Sequence, residues 1–125
     1  MSGAVDSASA VRPSESLDVG RLTRWLAGHL PAAASGITVS QFPLGHSNLT
    51  YLIATGGAEY VLRRPPFGNA VRTAHDMRRE FRVLSALAPV FPEAPAPLLL
   101  CADDQVLGAP FYLMERRRGL ILRKA

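Results

Sequence analysis

The segment Tyr60-Val61-Leu62-Arg63-Arg64-Pro65-Pro66 carries an apolar strand pattern into a pair of cations. Downstream, Glu80 falls on the apolar arc of a helical pattern, between Leu84 and Leu87. Neither charge is easily buried alone, so each is the natural partner of the other. A strand cation steadied by a helix carboxylate can hold phosphate oxygens. The same two residues can equally be an ion pair that braces a helix to a sheet. Arg64 competes with Arg63 for the inward position, because a one-residue slip reverses the facing of a strand.

Two further segments bear on the same chemistry. Gly45, His46, Ser47 and Asn48 form a turn between two strand patterns. A glycine among small polar residues lets backbone N–H groups approach phosphate oxygens, and Ser47 and Asn48 add donors. An ordinary hairpin turn has the same composition. Residues 111–116 run from an apolar strand into Glu115 and Arg116, with Gly119 beyond. Such an edge can offer backbone groups to a purine, and so can any buried strand that leaves the core.

Other chemistries find little support. His29, His46 and His75 are widely spaced, without the Cys or carboxylate arrangement of a metal site, so no metal ligand is assigned. No catalytic motif of the hydrolase, Walker or metalloprotease kind occurs, and no catalytic residue is assigned. Arg116, Arg117 and Arg118 are too short a run, without aromatic partners, to grip nucleic acid. Cys101, flanked by Leu100 and Ala102, reads as a small core residue.

These residues need elements to position them. Residues 1–16 read as a flexible leader rich in Ala and Ser. Asp18 caps a predicted helix that runs to about Leu30, with Leu22, Trp25, Leu26 and Leu30 on one face. Strands are predicted over 37–42, 49–54 and 59–63, with Gly56-Gly57 as a hairpin signal. Met77, Phe81, Leu84 and Ala88 mark a helix over 74–88, with Arg78, Arg79 and Arg82 on its wet face. Prolines 89, 92, 95 and 97 end it, and 98–102 and 110–114 are two more strands. The order predicts an α+β fold: an antiparallel sheet of about five strands, a packed helix and an amino-terminal helix.

A chain of 125 residues is one domain or one lobe of a larger one, and its 48% hydrophobic content suits a globular chain. The net charge of +4 is more than accounted for by Arg116, Arg117, Arg118, Arg123 and Lys124. No apolar run is long enough to span a membrane, and the amino terminus lacks the pattern of a secretory signal. With a single cysteine and no internal disulfide, a cytoplasmic location is expected.

Taken in order, the segments resemble the amino-terminal lobe of the aminoglycoside phosphotransferase family. The likeness is closest to a bacterial branch related to the kinase-like domain of certain acyl-CoA dehydrogenase fusions. Four segments carry it, at 45–51, 60–66, 79–84 and 111–116, within a resemblance that covers about 17–123. It implies a protein-kinase-like small lobe over 17–125 that binds ATP or GTP, with Mg2+ in an intact enzyme. By the same analogy, Gly45, His46, Ser47 and Asn48 cover the phosphates. Arg63 takes the place of the usual phosphate-contacting lysine, with Glu80 as its helix partner. Met114 lies behind the adenine, and Glu115 and Arg117 offer backbone hydrogen bonds to the base.

Two departures stand out. The only lysine is Lys124, so an arginine must contact phosphate, with a bulkier and planar group. Leu44 stands where many relatives have a further glycine. The family's His-Gly-Asp loop and metal-binding Asp belong to a carboxy-terminal lobe that these residues do not include. The expectation is a fragment or half of a split phosphotransferase, inactive alone, that needs a second lobe or partner chain or self-associates. The alternative is a non-catalytic binding module, or a pseudogene product, with the same fold. The acceptor substrate is not legible.

Overall fold

A computed structural model describes residues 8–43, 49–67, 70–91 and 95–116. Helix α1 spans Val19–Ala27, and the Asp18 side chain accepts from the Arg21 N–H at 3.1 Å to cap it. Leu22 and Leu26 lie on its buried face. The helix ends before the predicted Leu30, and a 3-10 turn over Pro31–Ser35 follows. Strands β1 (Thr38–Gln41), β2 (Leu49–Thr55) and β3 (Ala58–Arg64) come next. The connection between β2 and β3 has only Gly56 and Gly57, both at positive φ, as a tight hairpin requires.

Helix α2 spans Ala70–Leu87, starting earlier than its apolar spacing predicted. Strand β4 (Pro97–Cys101), the short helix α3 (Asp104–Leu107) and β5 (Phe111–Glu115) complete the described chain. Helix α3 is absent from the sequence-based expectation. The Asp103 side chain accepts from the Gln105 N–H at 2.9 Å, and Gly108 at φ 86° ends the turn.

The five strands form one antiparallel sheet in the order β1-β2-β3-β5-β4. Both faces are covered. Leu22 and Leu26 of α1 pack with Tyr51, Ile53, Leu62, Phe111 and Leu113 on one face. Met77 and Leu84 of α2 pack with Val61, Tyr112 and Met114 on the other. Burial on both faces explains why β5 is apolar along four successive residues rather than alternating. Arg78, Arg79 and Arg82 are exposed, as their helical spacing predicted.

The described part of the amino-terminal segment, 8–16, makes hydrogen bonds to the sheet. Ser9 and Gln41 exchange backbone hydrogen bonds of 2.8 and 2.7 Å. Gln41 is almost fully buried, so its amide needs partners. Its Oε1 accepts from the Arg12 N–H at 2.9 Å, and its Nε2 donates to Glu15 at 2.6 Å. The Tyr51 hydroxyl donates to the Glu15 carbonyl at 2.6 Å. The Gln41 amide holds the Glu15 carboxyl below its usual value against the opposing effect of burial, and Arg12 adds to the lowering. Composition alone could not reveal this, because the leader docks through polar atoms.

Candidate nucleotide-phosphate site

Arg63 lies near the end of β3, directly opposite Tyr112 of β5. Both side chains reach α2 and meet at Glu80. Arg63 Nη2 donates to Glu80 Oε2 at 3.2 Å, while its Nε sits 3.0 Å from Oε1. The second contact is an ion pair without hydrogen-bond alignment, so the buried Nε–H has no acceptor among the described residues. The Tyr112 hydroxyl donates to Oε1 at 2.7 Å. Burial raises the Tyr112 phenol well above its ordinary value, and the neighbouring Glu80 carboxylate adds to the rise although Arg63 opposes it. The phenol is therefore a proton donor throughout the neutral range.

The Arg63 side chain is 11% exposed and the Glu80 side chain 31%. The pair is thus sunk between sheet and helix with one side reachable. An edge-on contact from Phe81 to Tyr112, with ring centroids 5.9 Å apart, packs beside it.

Arg64 points to the opposite face and is 1% exposed. Its Nε donates to the Pro65 carbonyl at 2.8 Å and its Nη1 to the Leu107 carbonyl at 2.7 Å. Its guanidinium stacks 3.7 Å from the centre of the Phe67 ring. Burial lowers the Arg64 pKa, with Tyr51 opposing. The structure therefore decides the register left open by sequence: Arg63 joins Glu80, and Arg64 is a tether to the Leu107 end of α3.

Met114 is buried beside Tyr112 in the α2 face of the core. The Glu115 N–H donates to the Ala96 carbonyl at 3.0 Å. That donor is used within the protein. Gly45, His46, Ser47, Asn48 and Arg117 lie outside the described residues. The residues that flank 44–48 are described. Phe42 donates to the Thr50 carbonyl at 3.0 Å, and Thr50 is directly opposite Arg63 across β2 and β3. β2 therefore begins at the Arg63 end of the sheet.

Sequence reasoning missed two residues. Tyr112 looked like core; its register with Arg63 is invisible until the strands pair. Arg116, read as the first residue of a basic tail, pairs with Glu59 at 3.1 Å with only 6% of its side chain exposed. It also lies 5.4 Å from the centre of the Phe42 ring. Arg116 thus closes the Glu59 end of β3 rather than presenting charge to solvent.

Arg63 is a cation held from behind by a carboxylate with 11% of its side chain exposed, an arrangement that can contact a phosphate. Among the described residues, no cluster of three His, Cys, Asp or Glu side chains could hold a metal ion. No described helix is long and apolar enough to cross a membrane.

Comparison with known proteins agrees with this architecture. The chain is 34% identical to a Ralstonia eutropha protein assigned as an aminoglycoside phosphotransferase, and their structures superpose with a TM-score of 0.68. The match covers 86% of this chain and 30% of that one, so the likeness is to its amino-terminal lobe. The chain is also 38% identical to rat acyl-CoA dehydrogenase family member 11, over 90% of its own length and 15% of the relative's. Mouse acyl-CoA dehydrogenase family member 10 is 37% identical over 95% of the chain and 11% of the relative. The chain thus spans a small part of the curated relatives it matches. Residues 38–125 match the model of the phosphotransferase enzyme family, APH, and the chain belongs to that family.

Proposed function

We propose that this chain is the nucleotide-binding lobe of an ATP-dependent small-molecule phosphotransferase. The observation that carries the reading is the contact of Arg63 with a Glu80 carboxylate that Tyr112 also holds. In this reading Arg63 contacts the nucleotide phosphates, and Glu80 and Tyr112 are positioning residues that fix its guanidinium. Residues 45–48 cover the phosphates from the β1–β2 connection. Met114 backs the adenine, and the Glu115 carbonyl and Arg117 backbone bind its edge. Mg2+, when bound to the nucleotide, neutralises charge on the transferring phosphates. GTP would meet the same phosphate contacts, so the base preference rests on the 115–117 edge.

The 125 residues contain no His-Gly-Asp motif. In this reading the catalytic base and metal carboxylates come from a second lobe or a partner chain, and the work is cytoplasmic. Purified alone, the chain is expected not to turn over MgATP. A fluorescent ATP analogue tests the binding half of the reading. Arg63→Ala is expected to weaken its binding about tenfold or more, the loss of one charge-assisted phosphate contact. An unchanged affinity in a folded Arg63→Ala protein sinks the site assignment. Sustained Mg2+-dependent ATP turnover by the chain alone sinks the two-lobe assignment. The alternative is a non-catalytic binding module with the same fold. An in-frame continuation beyond codon 125, or an adjacent reading frame, encoding a His-Gly-Asp loop decides for the enzyme; unrelated sequence decides for the module.

A further inference from the structure

Arg78, Phe81, Arg82 and Ser85 recur at helical spacing and make one stripe of α2. The stripe faces Leu100 and Ala102 at the end of β4, and between them lies an open groove of about 400 Å3. Its floor is the half-buried Phe81 and Leu100, and its rim carries the exposed guanidinium groups. Among the described residues neither Arg78 nor Arg82 forms an ion pair. β4 is, among the described residues, an edge strand of the sheet, with β5 on its one paired side. Leu98, farther along it, is 38% exposed. The groove is on the α2 side of the sheet.

We propose that this groove docks an acidic peptide segment of a partner protein, with one aromatic or large aliphatic side chain seated between Phe81 and Leu100. The charge pattern selects the partner. Two exposed arginines, without an ion pair among the described residues, flank an apolar socket, so the fitting segment has carboxylates on either side of an apolar residue. The groove volume of about 400 Å3 is room for one large side chain and adjacent backbone. The edge position of β4 suits an extended segment lying alongside it. A nucleic-acid strand would use the arginines and gain little from the aliphatic part of the floor. The assignment does not depend on the nucleotide reading.

The test uses the 125-residue protein and a fluorescein-labelled peptide, Glu-Asp-Phe-Asp-Glu, followed by polarisation. Two control peptides replace the phenylalanine by serine, or the acids by their amides. The protein variants are Arg78→Glu combined with Arg82→Glu, and Ser85→Trp, which fills the groove without changing charge. Ala102→Trp fills it from the strand side if Ser85→Trp fails to fold, and Arg24→Glu on α1 is the control for net charge. The expected result is saturable binding that falls about tenfold or more with each groove variant and each control peptide, and is retained in Arg24→Glu. Four results overturn the proposal. These are no saturable binding, binding indifferent to a filled groove or a missing phenylalanine, equal loss in Arg24→Glu, and equal binding of an oligonucleotide of the same charge.

Discussion

Tyr112 donates its hydroxyl to Glu80 Oε1 at 2.7 Å, on the carboxylate that also pairs with Arg63. One carboxylate thus links three elements: β3, β5 and α2. Removing it leaves a guanidinium that is only 11% exposed without its counter-charge. Glu80→Ala is expected to cost about 2 kcal/mol, below the value for a fully buried pair because Glu80 itself is partly exposed. Tyr112→Phe removes one charge-assisted hydrogen bond and is expected to cost about 1–2 kcal/mol. Urea denaturation of the two variants and their double mutant measures both costs. They should be less than additive in the double mutant, because the partners share one carboxylate. Full additivity would show that Tyr112 and Glu80 act independently.

Much of this arrangement was legible in the sequence. The five strands follow from apolar patterning and turn residues, and α2 from the spacing of Met77, Phe81 and Leu84. The partnership of Arg63 and Glu80 follows from the difficulty of burying either charge alone. Facing is harder to read. Arg63 and Arg64 are adjacent cations at the same strand end, and only the pairing of Arg63 with Tyr112 and Thr50 shows which side each takes. Polar docking is harder still. Ser9, Arg12 and Glu15 bind Gln41 through hydrogen bonds that leave no hydrophobic pattern. The phosphate-covering role read for 45–48 falls outside the described residues.

The two neighbouring arginines should separate cleanly. Arg64 ties the carbonyls of Pro65 and Leu107 and is almost fully buried. Arg64→Ala leaves acceptors without donors and opens a cavity, so a loss of about 2–4 kcal/mol is expected. Arg64→Met keeps most of the volume and should recover part of that loss, while the two carbonyls still lack donors. In the proposed function Arg63→Ala acts on nucleotide affinity instead. Thermal melts and nucleotide titrations of both variants would show the division. An Arg64→Ala protein as stable as wild type would contradict the tether.

Alkaline pH should unfold the protein through its buried phenols. Burial pushes Tyr51 up to about 12 from an ordinary 10, even with Arg64 nearby, and raises Tyr112 further. The fold therefore favours the neutral phenols. Their contribution is fully present below pH 10 and is lost as pH rises through the folded-state values, reaching about 12 for Tyr51. Phenolate absorbance from these two residues should appear together with loss of helical circular dichroism. Tyr51→Phe should flatten the fall in stability above pH 10, since it removes one of the groups that binds its proton more tightly when folded. A phenolate signal from both residues well before unfolding would contradict their burial.

The β2–β3 hairpin is braced against the 31–35 turn, and its two glycines should respond differently to substitution. Thr55 donates its hydroxyl to the Gly36 carbonyl at 2.8 Å and approaches the Ala32 carbonyl at 3.3 Å, which holds the turn against the hairpin. Gly56 has φ 58°, and a Cβ there would lie 2.5 Å from the Ala32 Cβ. Gly57 has φ 80° and open space around it. Gly57→Ala therefore carries the left-handed backbone cost alone, about 1 kcal/mol. Gly56→Ala adds a clash that must displace the turn, for a total of about 2–4 kcal/mol. The clash has a specific remedy. Combining Gly56→Ala with Ala32→Gly removes the opposing Cβ, and should bring the loss back toward that of Gly57→Ala once the small intrinsic effect of Ala32→Gly is subtracted. Chemical denaturation of the four variants alongside the wild type measures this directly. If Ala32→Gly gives no rescue, the close approach of hairpin and turn does not govern the cost at Gly56.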